Sequence, residues 1–208
     1  MRFWDSPTSS FPYTFDEVCA AFWDRYPNSF TKHIVSEDVL ERRVTENTIV
    51  TKKLIVKHGS NILKRVPRWL SRMTEIRTVP VIEESVYDRL SKSLITYTRN
   101  VSHNELFQMN ERCVYRHKEN QDGTFLTDVL RSVQINIDCG RLSSVYEKVM
   151  VVGFKKSITN TTKGIFEKLE EKFGPRPQEN QKMKMLKDKL IQSSSNLVTH
   201  VKCEEEAV

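Results

Sequence analysis

Three cationic side chains in the first third of the chain, Arg25, His33 and Lys57, could together bind an anionic head group. Arginine offers paired hydrogen bonds to such a group, whereas lysine supplies a point charge. Pro27 and Asn28 predict a chain reversal that can bring Arg25 near His33. Each cation also has an ordinary explanation: Arg25 at a helix C-terminus, His33 within a strand and Lys57 at an exposed strand end. The residue types alone leave both explanations open.

A second basic group surrounds Trp69 and Leu70, which are flanked by Arg65, Arg68 and Arg72 in the sequence KRVPRWLSRM. The two apolar side chains could belong to a core. Tryptophan beside cations is also typical of a membrane surface, where the ring lies at headgroup level and basic residues attract anionic lipid. A buried segment and a membrane-facing lid are equally compatible with this stretch.

Known catalytic and metal-binding signatures are absent from the sequence. It contains no GxSxG, HExxH, P-loop or GxGxxG motif, and its four cysteines form no CxxC pair. We therefore expect no catalytic residues, no metal site and no cofactor. Motifs of nucleic-acid-binding domains are also missing, so nucleic acid is not an expected partner.

The overall charge favours anionic partners, because the 208 residues carry a formal net charge of +6. A hydrophobic fraction of 38% is enough to build a core. No apolar run approaches the roughly 20 residues that a membrane-spanning helix needs. The first residues lack the apolar stretch of a secretory signal and the arginine-rich composition of a mitochondrial presequence.

The order of predicted elements is strand, helix, two strands, loop, four strands and a long helix. Residues 1–13 read as a short strand, and Thr14 with Glu17 forms a capping box that opens a helix ended by Pro27. Two strands follow within residues 33–59. After the loop, four further strands extend to Asp138, with a hairpin turn at 120–123.

A long C-terminal helix is predicted to end at Phe173, before Gly174. Ser144 and Glu147 suggest a second capping box, with Ser143 as the alternative cap. Apolar residues recur at helical spacing on one stripe: Val151, Phe154, Ile158, Ile165 and Leu169. We divide the chain into a domain at 1–173 and a polar tail at 174–208, either disordered or a marginal amphipathic helix. An antiparallel sheet curved around the long helix would bury this stripe and could leave a pocket for an elongated ligand.

Residues 22–44, FWDRYPNSFTKHIVSEDVLERRV, resemble the PRELI-like family of mitochondrial intermembrane-space phospholipid transfer proteins. The family hallmark is an aromatic helix end followed by R/K-Y-P-N-P and a strand, and here Ser29 replaces the second proline. The resemblance continues through RVPRWL, residues 96–115 and residues 153–173, so it covers nearly the whole predicted domain.

The resemblance implies an α+β fold: a curved seven-stranded antiparallel sheet that grips a long C-terminal helix, with a short N-terminal helix. It also implies a lipid tunnel closed by a lid loop at Ile62–Met73. The lid and membrane-contact residues would be Arg65, Pro67, Arg68, Trp69 and Leu70.

The same resemblance implies a head-group site that includes Arg25, His33 and Lys57. On the long helix, the aligned polar positions are Gly153, Ser157 and Asn160, two of which are basic in the family but are Gly153 and Asn160 here. The missing charge could come from Lys156 or Lys163, with Lys155 a weaker candidate.

Family members shuttle phosphatidic acid from the outer to the inner mitochondrial membrane, which feeds cardiolipin synthesis. They act with a small helical partner that carries twin Cys-x9-Cys motifs. Arg25, His33 and the sequence TYTRN resemble the phosphatidic acid branch more than the phosphatidylserine branch. The expected function is therefore non-enzymatic transfer of an anionic phospholipid at an anionic membrane surface. Phosphatidylserine transfer, a lipid sensor or scaffold, and an enzyme acting on a lipid phosphate are the alternatives.

Overall fold

A computed structural model describes residues 1–58, 77–121, 123–138, 140 and 143–176. Its elements, in chain order, are the strands β1 (Arg2–Asp5) and β2 (Ser9–Phe11), the helix α1 (Phe15–Trp23), the strands β3 (Ile34–Val44), β4 (Thr48–His58), β5 (Thr78–Asp88), β6 (Ser93–Asn100), β7 (Phe107–Glu119) and β8 (Phe125–Ile137), and the helix α2 (Ser143–Phe173). Residues Met1–Gly174 form one compact unit. The predicted lid at Ile62–Met73 lies outside the described residues.

One antiparallel sheet contains all the strands of the described residues, in the order β1-β8-β7-β6-β5-β4-β3. Both β1 and β2 pair with β8, at Ser132–Ile135 and Thr127–Val129 respectively. The single strand expected in residues 1–13 is therefore two strands, which share one position in the sheet. The expected seven-stranded α+β arrangement is confirmed, with eight strands in seven positions.

Helix α1 begins where the sequence predicts. The Thr14 hydroxyl accepts a hydrogen bond from the Glu17 amide, and the Glu17 carboxylate accepts one from the Thr14 amide, which completes the capping box. The helix ends at Trp23, three residues before the Tyr26–Pro27 peptide bond, which is cis. Its apolar side, with Phe15, Val18 and Phe22, is buried.

Helix α2 covers one face of the sheet and ends at Phe173, as predicted. Its inward stripe buries Val151, Phe154, Ile165 and Leu169. Gly174 then adopts a φ of +78°, which suits glycine at a helix end. Of the described helices, none has the length and apolarity to cross a bilayer.

The capping box expected at Ser144 and Glu147 is not formed. Ser144 lies inside the helix, and its hydroxyl accepts a hydrogen bond from Arg2. The Glu147 carboxylate instead accepts a hydrogen bond from the amide of Ile137, at the end of β8. A long-range partner has replaced the local one.

The interior contains two apolar clusters, one toward each end of α2. The first joins α1 to the end of α2 and includes Phe11, Tyr13, Phe22, Ile165 and Leu169. The second packs the start of α2 against Phe107, Val133, Ile135, Ile137 and neighbouring side chains. The region between these clusters is polar and forms the candidate site.

Candidate functional site

A cavity of about 40 Å³ lies between α2 and the inner face of the sheet. A water molecule needs roughly 10–15 Å³ of such space, so the cavity has room for about three waters. Charged and hydroxyl side chains dominate its wall, in contrast to the apolar clusters on either side. The residues that line it are Phe22, Arg25, Tyr26, Ile55, Lys57, Glu83, Thr96, Thr98, Glu111, Tyr115, Arg131, Phe154, Ser157, Ile158 and Thr161.

Strand register explains why the wall is polar. Lys53, Glu83, Thr98 and Glu111 are direct cross-strand neighbours on β4, β5, β6 and β7. Because side chains in one such row share a face of the sheet, four polar residues form a band across its inner side. An adjacent row carries polar residues on the same strands and ends on β8: Thr51, Ser85, Thr96, Cys113 and Arg131.

Arg25 enters this cavity from the end of α1 and is only 3% exposed. Its Nη2 donates to both carboxylate oxygens of Glu83 at 2.7 Å, and its Nη1 donates to the carbonyl of Phe22 at 3.0 Å. The guanidinium also lies over the rings of Phe22 and Tyr26, at 4.1 and 4.7 Å from their centroids. The named hydrogen bonds use three of the five N–H donors of an arginine.

Arg25 and Glu83 hold each other in the charged state. Burial alone would lower the pKa of Arg25, but the Glu83 carboxylate outweighs it and raises that pKa well above its usual value. Burial would likewise raise the pKa of Glu83, and Arg25 reverses this, so the pKa of Glu83 falls below its usual value. Removing one member of such a pair leaves an uncompensated buried charge.

The chain reversal after Arg25 is held by hydrogen bonds within the turn and by contacts of Asn28 and Ser29 with α2. The Asn28 amide donates to the carbonyl of Arg25 at 2.6 Å and accepts from the amide of Phe30 at 3.0 Å. Both the amide and the hydroxyl of Ser29 donate to the carboxylate of Glu167. At Gly164 a β-carbon would lie 2.5 Å from the Asn28 side chain, so only glycine permits this approach.

A second ion pair lines the same cavity. Arg131 donates to the Glu111 carboxylate at 3.1 Å and to the Tyr115 hydroxyl at 3.2 Å. Burial disfavours its charge, yet the neighbouring Cys113, Tyr115 and Glu111 side chains raise the pKa of Arg131 overall. Two buried arginines, each opposed by one glutamate, therefore occupy one interior space.

Of the predicted head-group residues, the structure places Arg25, Lys57 and Ser157 together in the cavity wall. His33 is half-buried at the start of β3, where its carbonyl accepts from the amide of His58. Burial, followed by the charges of Lys57 and His58, lowers the pKa of His33 below its usual value of 6.5. His33 is therefore mainly neutral at pH 7 and offers a hydrogen bond rather than a positive charge.

Three predicted residues of α2 lie outside the cavity lining. Lys156 and Lys163 are exposed, and the Lys163 ammonium lies 5.7 Å from the centre of the Phe30 ring. Asn160 is half-buried. Helical rotation of about 100° per residue turns Lys156 away from the wall that its neighbour Ser157 reaches. The predicted lid residues Arg65, Pro67, Arg68, Trp69 and Leu70 are outside the described residues.

Glu83, Glu111 and Arg131 are cavity residues that the sequence reasoning missed. A signal for Arg131 was present, because the alternation that marks Val133, Ile135 and Ile137 as inward also marks Arg131. The glutamates carried a weaker version of the same signal within β5 and β7. Glu83 pairs with Arg25, 58 residues away in the sequence, and Glu111 pairs with Arg131, 20 residues away. No local sequence pattern shows such pairs.

The arrangement can bind an anion, and it shows no activated nucleophile within the described residues. The buried thiol of Cys113 has its pKa raised by burial to about 11, and burial also raises the pKa of Cys19, so both are protonated at neutral pH. In the part of the chain that the structure describes, no group of three or more His, Cys, Asp or Glu side chains is placed to hold a metal ion. Donors on Arg25, Lys57 and the hydroxyl side chains are the groups available to a ligand.

Comparison with known sequences identifies relatives across most of the chain. The sequence profile of the PRELI-like family matches residues 16–175. PRELI domain-containing protein 1, mitochondrial, of Bos taurus is 32% identical over 155 residues, covering 73% of this chain and 68% of that protein. The ups1 homolog of Schizosaccharomyces pombe is 28% identical over 165 residues, covering 78% of this chain and 92% of that protein.

Among solved structures, TTHA0849 from Thermus thermophilus has a similar fold. It superposes with a TM-score of 0.54 at 12% sequence identity, over 81% of this chain and 97% of that one. At this level of identity the likeness concerns the arrangement of the sheet and helices alone.

Proposed function

Because the chain belongs to the PRELI-like family, we propose that it is a non-enzymatic carrier that binds a phospholipid by its anionic head group and transfers it between mitochondrial membranes. The observation that carries this proposal is the buried Arg25, held in a polar cavity beside Lys57 and Ser157 between α2 and the sheet. In the empty protein this guanidinium is paired with Glu83, and a lipid phosphate is a second anion that could take over its hydrogen bonds and later leave.

Phosphatidic acid is the proposed cargo, carried from the outer to the inner mitochondrial membrane in support of cardiolipin synthesis. Its phosphate would accept from Arg25, Lys57 and the Ser157 hydroxyl, with neutral His33 as a further donor near the entrance. Lys156, Asn160 and Lys163 would act outside the cavity wall, where the exposed cations meet the membrane surface. The lid residues at Ile62–Met73 remain proposed membrane contacts on the basis of sequence.

Phosphatidylserine is the second candidate cargo, and one observation favours it. The carboxylates of Glu83 and Glu111 line the same cavity as the arginines. An ammonium group needs acceptors of this kind, whereas phosphatidic acid has no ammonium. Transfer of the two lipids under identical conditions separates these candidates.

The proposed setting is the mitochondrial intermembrane space, with a small twin Cys-x9-Cys protein as partner. Support comes from the family and from the word mitochondrial in the name of the Bos taurus relative. Native mass spectrometry of the purified protein would show both a bound lipid and a bound partner. Mass spectrometry of the lipid after incubation tests the absence of catalysis, since an enzyme would convert it.

The decisive experiment measures dequenching of fluorescent phosphatidic acid between vesicles, with the partner co-expressed. A charge reversal at Arg25 would set two buried carboxylates together, so the informative variant replaces both Arg25 and Glu83 with methionine. A buried ion pair replaced by apolar side chains often keeps its stability. We expect the double variant to remain folded and to lose transfer.

A matched control replaces the ion pair of Lys52 and Glu84, joined at 3.4 Å on β4 and β5 and exposed on the other face of the sheet, with methionines. These residues lie outside the named cavity wall, so their replacement should leave transfer intact. Wild-type transfer by the Arg25 and Glu83 double variant would overturn the proposed head-group site. Thermal unfolding would show whether both double variants have lost their fold. In that case Arg25→Lys would serve as the milder test.

A further inference from the structure

The first half of α2 exposes a row of valines on its outward side. Val145, Val149 and Val152 are 54, 41 and 66% exposed, and they stand at positions i, i+4 and i+7 of the helix. The same turns bury Val151 and Phe154 on the opposite side. A helix on a protein surface normally has one apolar stripe, which faces the core. This part of α2 has two.

Folding gives no reason for the outward row. Valine is branched at its β-carbon, which restricts its rotamers in a helix and gives it a lower helix propensity than lysine, glutamate or alanine. An exposed valine also buries little apolar area. The outward row therefore lowers the stability of the isolated helix slightly and is better explained by contact with something outside the chain.

Cations surround this row. Lys148 and Lys155 are exposed beside the valines, and exposed Lys156 continues their line toward the middle of the helix. Glu147 is the only acidic residue between positions 143 and 163, and it is buried. We call Val145, Val149, Val152, Lys148, Lys155 and Lys156 the valine face.

The valine face lies toward the same edge of the sheet as the cavity residue Lys57. The start of α2 packs against Phe107, where β7 begins, and Ile137, where β8 ends. By the antiparallel register, β4 ends and β5 begins at this same edge, close to the cavity residue Lys57. A membrane or protein bound to the valine face would therefore lie near the end of the sheet that carries Lys57.

We propose that the valine face is a docking surface for an anionic lipid bilayer. The valines would enter the boundary between head groups and acyl chains, and the lysines would lie against anionic head groups. Charge decides between a membrane and a protein partner, because the face has three cations, no exposed acid and an overall protein charge of +6. The outward side of α2 then binds the membrane, and its inward side packs on the sheet.

Co-sedimentation of the full-length protein with phosphatidylcholine vesicles, with and without phosphatidylglycerol, tests this surface without offering the proposed cargo. Wild-type protein should bind the anionic vesicles and bind weakly to neutral ones. Replacing all three valines with glutamine should weaken anionic binding by roughly tenfold or more, from the apolar area lost. Replacing the three lysines with glutamine should remove most of the preference for phosphatidylglycerol.

A control with the same exposure exists on the sheet: Val39, Val44 and Val50 are 52, 66 and 39% exposed. Their replacement by glutamine should leave vesicle binding unchanged, and thermal unfolding would show that each variant is folded. Unchanged vesicle binding by the α2 valine variant would overturn the proposal. Equal loss in both triple variants would also overturn it, because binding would then follow total exposed apolar area. A change in oligomeric state or in partner binding, without a change in vesicle binding, would assign the face to a protein instead.

This docking surface is separable from the head-group site. The double methionine variant of Arg25 and Glu83 should still bind phosphatidylglycerol vesicles, although it no longer carries phosphatidic acid. Loss of vesicle binding in that variant would mean that membrane association proceeds through the cavity, which contradicts a separate surface.

Discussion

At the residue scale, Glu83 stands where an incoming anion would have to bind. Its carboxylate accepts two hydrogen bonds from Arg25, the same group that is proposed to receive a lipid phosphate. A phosphate that takes these donors must displace Glu83 or leave it close to a second negative charge. Glu83 would therefore weaken binding of the proposed cargo, and a carrier needs such weakening in order to release it.

Replacing Glu83 with glutamine should destabilise the empty protein and strengthen binding of phosphatidic acid. Arg25 would lose its buried counter-charge, at a cost of about 3 kcal/mol. A bound phosphate would restore that charge, so lipid should raise the unfolding temperature of this variant more than that of wild type. Thermal unfolding with and without lipid measures both effects.

The neighbouring Glu84 supplies the control for this prediction. It forms an exposed ion pair with Lys52 at 3.4 Å, so Glu84→Gln should change stability and lipid affinity little. An unaltered lipid affinity in Glu83→Gln would contradict the view that this carboxylate competes with the cargo.

His33 should make the protein less stable under mildly acidic conditions. Its pKa in the folded state is lowered by burial, Lys57 and His58, so the unfolded chain binds the proton more readily. Stability must then fall as the pH decreases through 6.5 toward the lower pKa of the folded state. His33→Gln should lose less stability over this range than wild type.

Denaturant unfolding of both proteins at several pH values measures the difference. If the free energy of unfolding changed with pH in the same way for wild type and His33→Gln, the pKa of His33 would not be lowered by its surroundings as expected.

The identity of the cavity residues was only partly predictable from sequence. Arg25 and Lys57 were candidates from their residue types as well as from the family resemblance, and Ser157 was a candidate from the resemblance alone. Glu83 and Arg131 lie on inward positions of alternating strands, but alternation gives the face of a side chain and not its cross-strand neighbour. Sheet register supplies that neighbour, and register depends on turns and contacts spread over the whole chain.

At the element scale, the turn after α1 and the middle of α2 form one positioning unit for Arg25. Asn28 fixes the Arg25 backbone, and Ser29 is tied to Glu167 on the helix. Gly164, a glycine within α2, provides the space for Asn28. These contacts with α2 set the position of the Arg25 backbone. They do not involve the Arg25 guanidinium.

Gly164→Ala should therefore be harmful, although alanine is the better helix former. Its β-carbon would come within 2.6 Å of the Asn28 side-chain atoms and push the turn away. We expect a loss of about 1–3 kcal/mol in unfolding free energy, together with reduced transfer of phosphatidic acid. Denaturant unfolding and the vesicle assay measure the two effects.

Thr159→Ala is the comparison for this change, because Thr159 is exposed on the same helix. It should be neutral or slightly stabilising, since alanine favours the helix more than threonine does. A Gly164→Ala protein more stable than wild type would show that the turn adapts without difficulty.

Element boundaries followed from the sequence wherever local chemistry decides them. The Thr14 and Glu17 capping box starts α1 as predicted, and Gly174 ends α2. At Ser144 the same local rule was wrong, because the Glu147 carboxylate bonds the distant Ile137 amide. A capping signal is reliable only when no buried donor elsewhere competes for the acid.

At the scale of the whole molecule, the cavity is too small for its proposed cargo. Its 40 Å³ admits a few waters, while two acyl chains need far more room. Uptake therefore requires α2 and the sheet to move apart, or the side chains that fill the interior to rearrange. For that movement, the apolar clusters at the two ends of α2 would have to separate from the helix or serve as hinges.

The charge of the whole protein should make membrane association dependent on salt. With a net charge of +6 and three lysines on the valine face, binding to phosphatidylglycerol vesicles should weaken steadily between about 0.05 and about 0.5 M salt. Co-sedimentation at several salt concentrations tests this. The lysine-to-glutamine variant should show a shallower dependence, and an equal slope in both proteins would place the electrostatic contact elsewhere.

The contacts between the two ends of the domain have a consequence for its synthesis. The hydroxyl of Tyr13 donates to the carbonyl of Gly174, 161 positions later, and Phe11 packs on Phe166. A ribosome makes the inner face of the sheet long before it makes the helix that shields it. Until residue 173 has emerged, the nascent chain holds apolar strands without the helix that covers them, so folding waits for that helix and a chaperone has a defined interval in which to act.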